Sequence, residues 1–570
     1  MALTSIDVKD IEDLSTAIGS YNNGDLPLEA FRPIRLRMGI YGERNHPGFS
    51  MVRVKIPGGL LTAQQAMVLA DAAENFSPKD IHFTTRQDAQ LYSISLEKTP
   101  GFLRNLLEGG LSTREAAGSV VRNVTACPYA GICPKENCDV LPYTDLVSRY
   151  FLRHPETQDL PRKVKIAFSG CETDCAATQI HDIGIVAVKD HDESGVAFRL
   201  YVGGGLGAAP MTGTLLESST PIEQLLPTCL AVLRVFSAHG ERKNRALARL
   251  KFLVKKMGGE VFCEKVLAER DQILEEKTVF PEPDLGSKRS YPQRFIQDEV
   301  ERLEDFERWK EVSAVPQKQP GLYRVTIFLP EGDILPTALH ALAKLSALFG
   351  NGTLRATRNQ NLVVPYIPDR SLGAFFRALH ERGLAFPAPD VSSDVTACPG
   401  AGTCNTGITA SKELGKALSQ IIVRQFPELN GKLNIKVSGC PNSCGQHHIA
   451  GIGLYGRAKK IGDKWAPFYQ ILLGGGVDET GTRFGKPLAS VPAGHAVQAV
   501  LRLLGAFVLA DDRKEKSFEH FIAQKGFSAL RILLKDLEIP HDLNANPKYF
   551  LDIGKKEEFS LLGRGAAECA

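Results

Sequence analysis

The chain has 570 residues, a length that suggests three or four domains, and its 43 % hydrophobic and 23 % charged residues suit a globular protein with a large core. A net charge of +3 is small for this length and gives no reason to expect nucleic-acid binding. Met1 to Ser20 lacks the basic start and apolar run of a signal peptide, and no stretch approaches a membrane span, so cytoplasm is the expected location and no membrane partner is expected.

In chain order, residues 1–29 read as an N-terminal extension and 30–115 as a first half-domain. Met51 to Ile56 alternates, with Val52, Val54 and Ile56 on one strand face and Arg53 and Lys55 on the other. A cysteine-bearing domain is expected over 116–280. Within it Val164, Ile166 and Phe168 form one face of a strand, and Lys163 and Lys165 share the other, roughly 6–7 Å apart. The charged stretch 281–319 reads as a linker with a helix over Gln297 to Val312. A second half-domain follows at 320–388, then a second cysteine-bearing domain at 389–510 and a C-terminal segment at 511–570. Leu414, Leu418, Ile421 and Ile422 make a helical stripe. The fold class is α+β or mixed α/β.

The chain is written twice. Val124-Thr-Ala-Cys-Pro-Tyr-Ala-Gly-Ile-Cys133 matches Val395-Thr-Ala-Cys-Pro-Gly-Ala-Gly-Thr-Cys404, and Ser169-Gly-Cys-Glu-Thr-Asp-Cys175 matches Ser438-Gly-Cys-Pro-Asn-Ser-Cys444. Gly203-Gly-Gly205 matches Gly474-Gly-Gly476, Thr85-Arg86 matches Thr357-Arg358, and Arg53 matches Arg324. The offsets stay between 269 and 272 residues, too long for a solenoid, and imply two related halves about a pseudo-two-fold axis.

Eight of the twelve cysteines fall in these four pairs, a clustering that favours metal ligation over disulfides. Cys138, Cys229, Cys263 and Cys569 lie outside the pairs and read as ordinary thiols. In the second half, Cys398, Cys404, Cys440 and Cys444 follow Cys-x5-Cys and Cys-x3-Cys spacing, which suits a 4Fe–4S cluster better than the tighter knuckles of zinc.

Thr396 to Cys404 and Ser438 to Gly445 resemble the signature of the sulfite and nitrite reductase haemoprotein family. The resemblance extends through Arg53-Val-Lys-Ile-Pro-Gly-Gly59, Arg122-Asn123, Leu160-Pro-Arg-Lys-Val-Lys165, Val202-Gly-Gly-Gly-Leu206 and Asn359-Gln-Asn361. It implies ferredoxin-like half-domains combined into one domain, with two further domains around sirohaem and a 4Fe–4S cluster. It also implies that Cys444 is shared between cluster and haem iron. The family's substrate-side cations fall on Arg53, Arg122, Lys163 and Lys165, with the lysines as proton donors. Arg86, Gln90, Arg358, Asn359, Gln360 and Asn361 match positions near the macrocycle. The glycine loops at Gly203 and Gly474 are either carboxylate-binding turns or plain tight turns. His447 and His448 are expected to pack or hydrogen-bond rather than ligate.

The implied reaction is six-electron reduction of sulfite to sulfide, for which Lys163-Val164-Lys165 argues, with nitrite to ammonia as the alternative. A non-catalytic iron–sulfur carrier or redox sensor ranks below both. Electrons are expected from ferredoxin or a flavoprotein, since no flavin module is evident. The first set, Cys127, Cys133, Cys171 and Cys175, holds either a second cluster or a relic. A second catalytic centre there needs cations from the other half. Arg53 maps to Arg324 and Lys163 to Lys432, but Arg122 maps to Ser393 and Lys165 to Asn434. One catalytic centre is therefore expected. Glu172 and Asp174 disfavour an anionic cluster unless they are paired or hydrogen-bonded.

Overall fold

The computed structural model describes residues 5–44, 46–189, 195–286, 305–387, 392–429, 433–510, 517–538 and 546–565. The first repeat contains Ile40–Glu43 (β1), His46–Val54 (β2), Leu60–Thr62 (β3), Ile81–Phe83 (β4) and Ala89–Ser95 (β5). Thr125–Ala126 (β6), Ile166–Ser169 (β7), Ile183–Lys189 (β8), Val196–Val202 (β9) and Thr214–Thr220 (β10) follow. The second repeat supplies Ala314–Pro316 (β11), Leu322–Ile327 (β12), Asp333–Ile334 (β13), Thr353–Ala356 (β14) and Leu362–Pro368 (β15). Thr396–Ala397 (β16), Ile435–Ser438 (β17), Ile452–Ile461 (β18), Lys464–Leu473 (β19), the hairpin Gly476–Asp478 (β20) with Gly481–Arg483 (β21), and Lys486–Pro492 (β22) complete it.

The half-domains trade edge strands. One sheet runs β1-β2-β5-β4-β13 and the other β11-β12-β15-β14-β3, so each half lends a short strand to the other. Ile334 pairs with Ile81, and Leu354 pairs with Leu61. The helices Ala63–Phe76 and Pro336–Phe349 pack together, and their buried faces include the small residues Ala66, Ala70, Ala73, Ala343 and Ser346. One hydrophobic core therefore holds both half-domains. The helix Ser5–Asn22 belongs to it through Ile11, Leu14 and Ile18, so the segment read as an extension is part of the domain.

Each cysteine-bearing domain has its own core and sheet. The orders are β10-β9-β8-β7-β6 and β16-β17-β18-β19-β22, with the three strands nearest the cysteines parallel. The cysteine loops leave the carboxyl ends of adjacent parallel strands, where open sheets present a crevice. Phe518, Phe521, Leu530 and Leu537 bury into the second core, which ties the C-terminal segment to it.

The strand faces follow the sequence pattern: Val52, Val54, Val164, Ile166 and Phe168 are fully buried. In the helix Ser411–Gln425, Leu414, Leu418 and Ile422 are buried, with Ile421 half-buried. Two readings change. The strand expected through Lys163 and Lys165 starts at Ile166, because the Asp182 carboxylate rather than a neighbouring strand accepts the Lys165 N–H, at 2.9 Å. The linker helix is described over Phe306–Ser313, where Trp309 is buried in the shared core, so the second half-domain begins before residue 320. Residues 287–304 of the expected linker and Cys569 lie outside the described residues.

Candidate functional site

Cys398 follows β16 and Cys440 follows β17, so their loops meet at one end of the sheet. Burial, then the charges of Cys444, Cys398 and Cys404, push the Cys440 thiol up, which puts all four sulfurs within electrostatic reach. The Gly439 N–H donates to Cys398 Sγ at 3.2 Å, and the Asn442 N–H reaches the Cys440 sulfur. Ser443 and Gln446 hold left-handed backbone, φ 58° and 61°, and so turn the chain sharply around Cys444. Cys398 and Cys440 are buried, Cys404 is half-buried and Cys444 is exposed. The Cys404 loop is held by the first repeat: Arg44 Nη1 donates to the Gly407 carbonyl at 2.7 Å, and Asn405 Nδ2 donates to the Gly42 carbonyl at 3.0 Å.

A cluster of cations from the first repeat faces Cys444. Burial, then Arg86, Arg249 and Lys163, hold the half-buried Lys165 ammonium well below the ordinary lysine range, while Cys444 acts in the opposite sense. Burial brings Arg86 down to about 10, against the opposing charges of Asp88 and Asp182 and with Arg122 and Arg53 nearby. Arg53 and Arg122 converge on one phenol: Arg53 Nη1 and Arg122 Nη1 donate to Tyr41 Oη at 3.2 and 3.3 Å. Gln90 stands cross-strand from Arg53, and its amide, with the oxygen turned toward the guanidinium, accepts from Arg53 Nη2 at 2.6 Å. All four predicted cations, with Arg86 and Gln90, thus belong to one neighbourhood.

Polar atoms around this crevice lack protein partners. Ser443 Oγ, Gln446 Oε1 and both ring nitrogens of the buried His447 are unsatisfied on the cysteine loop, as are Arg122 Nη2 and Asn123 Oδ1 on the cation side. Such atoms are costly unless something polar meets them. Together with four thiols and a cation wall, they fit an anionic macrocycle and a cluster. His448 Nε2 instead meets the Gly207 carbonyl at 3.0 Å.

The second-repeat candidates differ among themselves. Gln360 and Asn361 are buried clamps. Gln360 Nε2 donates to the Phe83 carbonyl and its Oε1 accepts the Ala397 N–H, while Asn361 Nδ2 donates to Asp394 at 2.6 Å. Gln87 does the same work in the first repeat, joining Ala126 to Ala356. Asn359 Oδ1 accepts from Lys436 Nζ at 2.9 Å, and Arg358 Nε donates to the Cys175 carbonyl at 2.8 Å. The glycine loops behave as tight turns: Gly203 and Gly474 sit at φ 78° and 80°, and their N–H groups bond to the carbonyls of Asp182 and Gly451.

The counterpart cations are diverted. Arg324 lies over the Tyr129 ring at 3.6 Å. Ser393 is buried, and Asn434 Oδ1 accepts the Gly451 N–H at 2.9 Å. Lys432 lies outside the described residues. Sequence reasoning missed Tyr41, Thr85, Arg249 and Asp182. Only the Thr85-Arg86 repeat match pointed at any of them.

Comparison with known proteins follows this geometry. The description "Nitrite and sulphite reductase 4Fe-4S domain" matches residues 117–273 and 390–542, and "Nitrite/Sulfite reductase ferredoxin-like half domain" matches 41–109 and 315–382. The chain is 30 % identical to the ferredoxin–nitrite reductase of Synechococcus elongatus, over 77 % of this chain and 82 % of that one. It is equally 30 % identical to a ferredoxin sulfite reductase of Mycolicibacterium paratuberculosis, over 77 % and 76 %. The structure of Mycobacterium tuberculosis NirA protein aligns with a TM-score of 0.76 at 27 % identity, covering 89 % of this chain and 92 % of that one.

Proposed function

The chain belongs to the nitrite and sulphite reductase family, and within it we propose reduction of sulfite to sulfide by six electrons, with nitrite to ammonia as the second reading. Cys398, Cys404, Cys440 and Cys444 would hold a 4Fe–4S cluster and Cys444 also sirohaem, which when bound supply stored electrons and an iron that takes the anion.

The chain's own residues bind and protonate. Arg53 and Arg122 present guanidinium groups to the oxyanion, oriented by their common phenol. Each sulfite oxygen leaves as water after taking two protons, so the site needs acids that recharge from solvent. Lys165 suits this role. Burial and its cationic neighbours weaken its hold on a proton, and binding an anion restores that hold until the proton is passed on. Lys163 stands beside it as the second acid. Arg86 and Arg249 add positive charge, while Asp182 fixes Arg249 through bonds of 2.9 Å to both carboxylate oxygens.

The observation that carries sulfite over nitrite is Lys165 itself. Its ammonium stands within electrostatic reach of Cys444, where sulfite must lose three oxygens as water and nitrite two. The similar relatives are named for either anion and for ferredoxin, which supports a ferredoxin-type donor. Steady-state reduction of both anions by one preparation with reduced viologen is the test. A larger kcat/KM for sulfite is expected, and a much larger one for nitrite overturns the choice.

A further inference from the structure

The first repeat's cysteines take no part in the proposed reduction, yet they stand in a built site. The Cys127 and Cys175 thiols hydrogen-bond to each other, as do those of Cys133 and Cys171, and each pair acts electrostatically on the other. Backbone N–H groups of Tyr129, Lys135 and Thr173 reach the sulfurs of Cys127, Cys133 and Cys171. Such bonds favour thiolate over thiol and tune a cluster's potential. Asp174 and Ala177 hold left-handed backbone, φ 50° and 52°, at the places of Ser443 and Gln446, so the turn around Cys175 copies the one around Cys444. The thiols form adjacent pairs rather than a mononuclear centre. Among the described residues no group of three His, Cys, Asp or Glu is placed for a single ion.

The other half holds the loops in place. Arg355, almost fully buried, donates to the Pro128 and Ala130 carbonyls. Gln319 Nε2 donates to the Gly131 carbonyl, and the Lys318 N–H to that of Ile132, both at 2.9 Å. Arg358, bonded to the Cys175 carbonyl, keeps a buried Nη1 without a protein partner and adds positive charge beside the thiols. The carboxylates that spoke against an anionic cluster are spoken for. Glu172 pairs with Arg199 at 2.8 Å, and Asp174 accepts from the Thr178 N–H and hydroxyl at 2.8–2.9 Å. Glu479, at the tip of the β20–β21 hairpin, spans both loops. It pairs with Lys135 at 3.4 Å and accepts from Thr173 Oγ1 at 3.3 Å.

We propose that Cys127, Cys133, Cys171 and Cys175 hold a second 4Fe–4S cluster with no tetrapyrrole of its own. It accepts one electron from a reduced iron–sulfur donor protein and returns to its oxidised state by passing that electron to the second-repeat centre. No tetrapyrrole is assigned because Arg324 is committed to Tyr129, and Ser393 and Asn434 stand where cations stand in the working site.

The test is iron, labile sulfide, zinc and sirohaem analysis of the full-length holoprotein, purified without oxygen. About eight non-haem irons and eight sulfides per sirohaem are expected, against about four of each for a single cluster. In the double variant Cys133→Ala, Cys171→Ala, both counts should halve with sirohaem retained, and the spin count of the dithionite-reduced electron resonance spectrum should fall. The wild-type count stands whether or not that variant folds. About four irons with zinc at these cysteines, or with alkylation showing Cys127–Cys175 and Cys133–Cys171 disulfides, overturns the proposal. Sirohaem content reports separately on the proposed function.

Discussion

Thr85 Oγ1 donates to the carbonyl of Cys444 at 2.7 Å, and Gln446 Nε2 returns a bond to the Thr85 carbonyl at 3.3 Å. A turn of the first repeat is thereby latched onto the cysteine loop of the second. Thr85→Val keeps the side chain's shape and removes the hydroxyl, a loss of about 1 kcal/mol. Purified protein is expected to carry several-fold less sirohaem per chain, read from its absorption. Unchanged haem content and kcat would mean the loop holds itself.

Tyr41→Phe removes the oxygen shared by Arg53 and Arg122. Both guanidinium groups stay, but their relative orientation loosens. Because orientation matters most for capturing the anion, KM for sulfite is expected to rise about 5- to 30-fold, in line with 1–2 kcal/mol for charge-assisted bonds, while kcat changes less. A fall in kcat alone would place Tyr41 in proton delivery instead.

Lys165→Asn tests the acid. General-acid contributions run to about 100-fold or more, so kcat for sulfite is expected to drop by about that factor. The drop for nitrite should be smaller, because fewer oxygens leave. Equal losses on both anions would deny Lys165 a part in substrate preference.

Stability should fall with acid through His82. Its Nδ1–H donates to Asp333 at 2.7 Å, and Nε2 accepts from Gln360. A proton on Nε2 would face that amide N–H. Burial, with Lys412 adding to it, lowers the imidazole to about 4, below the ordinary 6.5. A group whose folded value is depressed supports the fold above its unfolded value and withdraws that support as pH drops. The loss therefore runs from about pH 6.5 down to about 4, and amounts to about 3 kcal/mol when complete. Thermal melts at pH 7.5 and 5 should differ by less in His82→Gln than in wild type. Identical slopes would assign the acid sensitivity to other buried histidines such as His181.

The duplication, the cysteine sets and the buried faces of β2 and β7 were legible because period and spacing carry them directly. The clamps were not. Gln360 and Asn361 sit in a polar run that reads as ligand-binding, and only the fold reveals that the Gln360 amide satisfies backbone groups of two domains while that of Asn361 joins the Leu329 N–H to the Asp394 carboxylate. Arg249 and Asp182 are 67 residues apart, so no local pattern couples them. β3 and β13 have three and two residues, too short for alternation to register, and both belong to the other half's sheet.

That exchange has a consequence for biosynthesis. The first sheet cannot gain its last strand until Ile334 has left the ribosome, and the second sheet depends on Leu60–Thr62 made long before. The earlier half waits with an open edge that any nascent copy's β13 fits equally well. Keeping both repeats on one chain makes the right partner the nearest one. A gene split between the repeats would yield two products whose half-domains complete their shared core and sheets only by finding each other.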